Sequence, residues 1–315
     1  MSTSDLLNQL QEHKRLPLLP HAQGDLAALQ QRCGVPLPPQ LAELYSLTAG
    51  ATEVGDAYLR PLQVSEVLHA EEWFPPLLQR WGAVLCFGDD QSNYAGVYTI
   101  GPLTGMVFLL HHEEPSPCPR YWGLPDLLAA MLDGTAEQAM WGGETFGAQL
   151  PIAAGPASAE QESRASALAD AMLAAAAAEP DEETGNELRK CALCLLPQAR
   201  AADIRDMLRI NDIWVPELAA KILGEMRDEA AIEELAWLAE QGRRNGDLAA
   251  IGAIGRIGGA GAQRTLVHLA QRPGAAAYAL YLGNAMKNAG VVAERWGAEW
   301  FYRRAVDDAW RKIGG

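Results

Sequence analysis

The sequence predicts two domains of different class: an α+β domain with an antiparallel sheet in front, and an all-α domain of paired helices behind it. Three observations predict this. Residues 81–112 hold three short apolar runs, Val84–Phe87, Val97–Ile100 and Met106–His111, rich in β-branched or aromatic residues and bounded by turn-formers. Residues 218–239 and 249–270 repeat one apolar pattern at an offset of 31. Between these regions, 141–160 is dense in Gly, Ala and Pro, the composition of a linker. The expected division is therefore 1–140 for the α+β domain, 141–160 for the linker and 161–315 for the helical domain.

The elements follow in order. Ser4–Leu10 reads as a short helix, broken by Pro17 and Pro20. Asp25–Gln31 is a second helix, closing at Gly34. Pro36, Pro38 and Pro39 lead into a third, with Leu41, Leu44, Tyr45 and Leu47 as its apolar face and Gly50 as its end. Ala57–Leu62 reads as a strand, and Ser65 caps a helix running through Trp73. The polar loop Gly88-Asp89-Asp90-Gln91-Ser92-Asn93 separates the first two central runs, and Gly101–Gly105 suits a hairpin between the last two. The central stretch thus predicts three consecutive antiparallel strands with an acidic loop at one end. Leu124–Leu132 is a closing helix stopped by Gly134. The helices are expected against one antiparallel sheet, in a domain long enough to bury its own core.

Ser163–Ala178 is alanine-dense and helical by pattern, ending before Pro180 and an acidic elbow at Asp181-Glu182-Glu183. Beyond it, Leu218–Gly224 and Ile232–Ala239 are echoed by Ala249–Gly255 and Gln263–Ala270. A fainter copy precedes them at Leu188–Leu196 and Ile204–Leu208. Paired helices at such a period predict a stacked solenoid in which each unit buries its face on its neighbours. Trp296, Trp300, Phe301 and Trp310 are expected on one or two capping helices.

The net charge of −15 is unevenly spread: −11 over residues 1–150, −7 over 151–187 and +3 over 188–315. Such a field repels nucleic acid and anionic membrane and favours a basic partner. The start, MSTSDLLNQLQEHKR, lacks the apolar core of a signal peptide, and no apolar run reaches the roughly eighteen residues of a membrane span. Five scattered cysteines without a paired framework fit a reducing cytoplasm.

Chemistry is sparse. Cys191-Ala192-Leu193-Cys194 lies inside a leucine-rich helix with no second Cys/His pair, so these read as core thiols. His111-His112, with Glu113, Glu114 and Cys118 nearby, reads as a strand end, because adjacent strand residues point to opposite faces and do not converge on one ion. Gly259 and Gly261 begin a dinucleotide-like spacing that fails at Arg264, and the glycines read instead as close helix crossings and a turn. Asp89-Asp90 has no sequence-adjacent His or Lys to complete an acid–base dyad. No catalytic residue, cofactor or metal is expected. The chain reads as a binding protein, not an enzyme.

Three motifs stand in residues 25–135: Val35-Pro36-Leu37-Pro38-Pro39-Gln40-Leu41 running through Tyr45 to Thr48-Ala49-Gly50, then Phe87-Gly88-Asp89-Asp90, then Gly105-Met106-Val107 before the closing helix. By these the stretch resembles the SUKH superfamily, whose members include yeast cell-wall regulators and many bacterial immunity proteins. Ala49-Gly50 stands where the family usually has Asn-Gly, and Asn93-Tyr94 where it usually has Gly-Asp. The tail resembles short HEAT-like repeats. What the first resemblance implies is a cytoplasmic immunity protein that occludes a cognate toxin, often a basic nuclease delivered between bacteria. Asp89, Asp90, Glu113 and Glu114 are then expected in the contact surface, with Glu53 and Asp56 beside them. The alternative is a scaffold or regulatory adaptor that binds its partner through the helical repeats.

Overall fold

The computed structural model describes residues 1–22, 25–69, 74–89, 91–112, 116–137, 159–242, 245–305 and 308–315. Antiparallel sheet with helices occupies the front half, and helices dominate the back. The described residues up to Leu195 form one compact unit and those from Leu196 a second. Most of the expected linker, 141–158, lies outside the described residues.

In the first unit, Ser2 and Asp5 close a reciprocal capping box at the start of α1 (Thr3–His13). Helix α2 spans Asp25–Cys33 and α3 spans Pro39–Leu47, with Pro39 in the first turn, where its missing N–H costs no helical bond. A two-stranded pair, β1 (Leu18–Pro20) with β2 (Thr48–Ala51), lies apart from the main sheet. That sheet takes β3 (Arg60–Pro61), β4 (Leu68–His69), β5 (Val84–Gly88), β6 (Tyr94–Val97), β7 (Val107–Leu110) and β8 (Pro119–Tyr121), all antiparallel. Its order is β3-β5-β6-β7-β8, with β4 on the other end of β5. A five-residue helix α4 (Pro76–Arg80) precedes β5, and α5 (Leu124–Asp133) follows β8, ending at Gly134 in the left-handed conformation (φ +85).

Three expectations need correction here. The second central strand is Tyr94–Val97, not Val97–Ile100. Gly96 sits where a Cβ would lie 2.4 Å from the Phe108 ring and 2.7 Å from the Val84 carbonyl, so its bare backbone lets the three strands close. Thr99 and Ile100 turn away and both donate their N–H to the Trp81 carbonyl. Within Ala57–Leu62 only Arg60–Pro61 pairs, since Tyr58 stands at φ +65, outside the β region. The helix expected from Ser65 is a single turn followed by β4; its continuation through Trp73 falls outside the described residues.

Both faces of the sheet are buried. One carries Val84, Cys86, Ala95, Val97, Val107 and Leu109, which join Leu6, Leu10, Leu29, Leu41, Leu44, Tyr45, Leu124 and Leu128 from α1, α2, α3 and α5 in one core. The other carries Leu85, Phe108 and Leu110, also buried. There the Phe108 ring packs on Tyr98 (centroids 4.9 Å) and Tyr98 on Trp81 (5.6 Å). Two long helices, α6 (Ala159–Ala178) and α7 (Glu182–Leu195), belong to this unit, and α7 packs against α4 and β8. Arg80 bonds Glu179 (2.7 Å), and the Arg164 guanidinium lies 4.8 Å from the centre of the Trp122 ring. Residues 161–195, expected in the helical domain, thus complete the sheet unit. Each large apolar side chain so buried contributes about 1.5–3 kcal/mol.

The second unit is built of α8 (Ala201–Met207), α9 (Trp214–Met226), α10 (Ile232–Ala239), α11 (Asn245–Ile257), α12 (Gly259–Ala270) and α13 (Ala279–Asn288). Helices α9, α11 and α13 pack side by side, with α10 and α12 as a second layer. Two glycines set the spacing. A Cβ on Gly224 would lie 2.8 Å from the Ala253 Cα, and one on Gly255 would lie 2.7 Å from the Ala285 Cα. The tail forms strands rather than capping helices: β9 (Val292–Trp296), β10 (Glu299–Arg303) and β11 (Arg311–Lys312) in order β11-β10-β9. Gly297, at φ +64, turns the β9–β10 hairpin. Strand alternation then buries Trp300 and Tyr302, with the Trp300 ring seated on Gly283 of α13 and Trp296 stacked outside on Phe301 (4.4 Å).

Gly252 and Gly255 of α11 differ in a testable way. Gly252→Ala, with nothing within 4 Å of the new Cβ, is expected to stabilise the chain by about 0.5–1 kcal/mol. Gly255→Ala forces α11 off α13 and is expected to cost about 1–3 kcal/mol. Urea unfolding of both variants checks the opposite signs.

Candidate functional site

The acidic loop is organised from within by Asn93, which is fully buried. Asp89 N–H donates to the Asn93 carbonyl (3.0 Å) as β5 ends. Asp89 Oδ1 accepts from the N–H groups of Gln91 (2.7 Å) and Asn93 (2.9 Å), and its Oδ2 accepts from Asn93 Nδ2 (2.7 Å). This carboxylate holding its own turn is the Asx pattern, completed here by Ser92 at φ +67. Asn93 Oδ1 in turn accepts from the His112 N–H (3.1 Å) and lies 2.9 Å from His112 Nδ1. Its Nδ2 also faces the Tyr58 hydroxyl at 3.5 Å. Burial, and then the charge of Asp89, push the Tyr58 phenol up.

Three loops therefore meet at one carboxamide: 89–93, the 52–59 segment through Tyr58, and the end of β7 through His112. Glu53 and Asp56 are exposed on the second of these. The Asp56 N–H donates to the Lys14 carbonyl (2.7 Å), which fixes its loop against the end of α1. Asp90, Glu113 and Glu114 lie outside the described residues, though Glu113 directly follows His112 in sequence. Asp89 is half-buried, with its oxygens engaged inside the loop. The two histidines need a correction: β7 stops at Leu110, so alternation no longer applies, and the His111 and His112 rings stack at 4.7 Å instead of diverging. Among the described residues no group of three or more His, Cys, Asp or Glu is arranged to hold a metal ion.

A second constellation lies on the opposite face of the sheet. Cys191 and Cys194, one helical turn apart on α7, are buried as expected, but they are joined by Cys118 from the segment before β8. The proximity of these two thiols holds the Cys118 thiol well below the usual range. Burial, followed by Cys118 itself, pushes those of Cys191 and Cys194 well above it. Cys191 Sγ lies 3.4 Å from the Pro117 carbonyl oxygen, which also accepts the Tyr98 hydroxyl. The buried Arg120 guanidinium has Cys194 and Cys118 among its electrostatic neighbours. One turn earlier on α7, Glu187 is buried and pushed up to about 7 by that burial, with Lys190 and the Leu77 N–H (3.4 Å) opposing the shift. The sequence reading missed this cluster because Cys118 stands far from the CxxC along the chain.

A shallow cleft of 650 Å³ opens between α2 and the 63–65 turn, lined by Leu19, Asp25, Arg32, Gln63 and Ser65 among others. Its charged groups already serve the fold: Arg32 Nε donates to the Val67 carbonyl, and Asp25 accepts from the Ala22 N–H (2.7 Å).

Charge follows the units. Residues 1–195 carry −16 and residues 196–315 carry +1. Among the described residues no helix is long and apolar enough to cross a membrane. Comparison of the chain with protein-family models, curated proteins and solved structures gives no match.

Asn93→Ala leaves the His112 N–H and Asp89 without their buried partner, and is expected to destabilise the first unit by about 2–3 kcal/mol in urea unfolding. Glu187 predicts a pH dependence. The folded carboxyl keeps its proton up to about pH 7, whereas the unfolded one releases it near 4.5. The folded state thus binds more protons between these values, and stability falls as pH rises through the window. Glu187→Gln is expected to remove that fall and to be the more stable form at pH 8 by up to about 3 kcal/mol. Unfolding curves at pH 4.5, 6 and 8 measure the difference.

Proposed function

We propose that this chain is a cytoplasmic, non-enzymatic binding protein that neutralises a protein toxin by occlusion, with a SUKH-like sheet unit and a HEAT-like helical unit. The observation that carries the reading is the convergence of three loops on Asn93 within residues 1–195, which carry a net charge of −16. Glu53 and Asp56 are exposed on one of these loops, and Asp90, Glu113 and Glu114 adjoin the other two in sequence. An acidic surface held by a buried hub presents fixed negative charge, which suits a basic nuclease built to attract phosphate. Fixed charge steers encounter and raises the association rate. In this reading Asp89 shapes the loop, and the exposed carboxylates make the contact.

A second reading, a scaffold that binds through its helices, is favoured by one feature of the second unit. Ile213, Trp214, Leu280 and Tyr281, at or beside the starts of α9 and α13, are large apolar side chains left about half exposed.

The test pairs the full chain with the product of the adjacent gene. Expression of the chain is expected to protect cells from that product, and the two purified proteins are expected to associate more slowly as salt rises. Glu53→Lys with Asp56→Lys should cut the association rate about tenfold at low ionic strength. Absence of protection, or a rate indifferent to both salt and these charges, would overturn the toxin reading. Binding abolished by Trp214→Ala with Tyr281→Ala, but untouched by the charge reversals, would favour the scaffold.

A further inference from the structure

The 650 Å³ cleft between α2 and the 63–65 turn holds charge of both signs. Asp25 and Arg32 stand seven residues apart on α2 and share the helix face that lines it. The bonds that fix these two side chains to the fold do not exhaust them. Among the described residues, Arg32 gives only its Nε, to the Val67 carbonyl. Asp25 uses only Oδ2, which accepts from the Ala22 N–H (2.7 Å) and lies 3.7 Å from His21 Nδ1. We propose that the cleft binds a dipeptide with both ends free and small apolar side chains, its carboxylate on Arg32 and its ammonium on Asp25.

Chemistry and length both set the ligand. The Arg32–Val67 bond holds the end of α2 against the turn whose Gln63 carbonyl accepts from the Val67 N–H (3.1 Å). The Gln31 and Gln63 amides and the Ser65 hydroxyl line the cleft beside that guanidinium, and among the described residues none of these three side chains has a hydrogen-bond partner. A guanidinium anchored by Nε offers its two terminal amino groups as a fork, which a carboxylate fills with two parallel bonds. Asp25 Oδ1, at the start of the same helix, accepts from an ammonium. The lining between these ends is Leu19, Ala28, Ala49 and Val64, aliphatic and mostly small, which suits side chains of the same kind. Seven helical residues set Asp25 and Arg32 about 10.5 Å apart. Two extended residues span at most about 7 Å, and a charge-assisted hydrogen bond at each end adds about 2.8 Å. A dipeptide therefore bridges the two charges, and a single amino acid falls short. The cleft is open to solvent, so its ion pairs stay partly hydrated and the expected Kd is on the order of 0.1–1 mM.

The test is isothermal titration of the full chain with alanylvaline, set beside its N-acetyl form, its C-terminal amide and free valine. Alanylvaline is expected to bind one-to-one, and each of the other three at least about tenfold more weakly, because each leaves one charge of the cleft unmatched. Two protein variants locate the site. Asp25→Asn keeps an oxygen for the Ala22 N–H but loses the negative charge. Arg32→Lys keeps a donor for the Val67 carbonyl but loses the fork. Both are expected to weaken alanylvaline binding about tenfold. No saturable binding up to about 10 mM would overturn the proposal. So would equal affinity for the acetylated, amidated or single-residue ligand, or full affinity in both variants. The ligand series on the unaltered chain decides the matter even if a variant fails to fold.

Discussion

A carboxamide shut away from water must find its donors and acceptor inside the protein, and Asn93 meets that demand with partners from three separate stretches of chain. Each alone would be a surface turn with little to fix its shape. Together they form a network in which loss of one bond strands buried polar atoms on the others, so the loops order as a set. The positions of the exposed carboxylates follow from this. Glu53 and Asp56 sit where Tyr58 and the end of α1 hold their segment, and the acidic turn keeps its form because Asp89 closes it from inside.

The sheet separates two kinds of interior. On the side of α1, α2, α3 and α5 the filling is almost wholly aliphatic, and burial of area is the main source of stability there. On the side of α4 and α7 the filling includes Tyr98, Arg120, Glu187 and three thiols, groups whose energy depends on protonation or redox state. Ionisable groups are fewer on the first face, where Tyr45, Cys33 and Cys86 sit among aliphatic side chains, than on the second. The same strands serve both, because alternate residues along β5, β6 and β7 point to opposite sides.

Local pattern revealed most of the helices and the central strands. Gly34, Gly50, Gly134 and the prolines before α3 punctuate the chain where turns and caps demand them, and the recurrence of Gly224 at Gly255 reflects close helix contact. What stayed hidden depended on distance along the chain. Val84-Leu85-Cys86-Phe87 and Val107-Phe108-Leu109-Leu110 are apolar at both parities, the mark of a strand covered on both faces. That mark identifies no covering helix, and α7 lies about 80 residues on. Asn93 reads as a turn residue in sequence, and only the fold brings Tyr58 and His112 to it. The tail misled for another reason: its Trp and Phe residues favour strands, and the Gly297-Ala298 pair between alternating residues was the usable hairpin signal.

One consequence concerns covalent continuity. Helices α6 and α7 complete the first unit by contact with the sheet, through the Arg80–Glu179 pair, the Arg164–Trp122 stack and the thiol cluster, whatever path residues 138–158 take between them. The helix that covers the second apolar face of the sheet is thus supplied from well beyond the sheet in the chain, and a front fragment ending before Ala159 would leave that face bare.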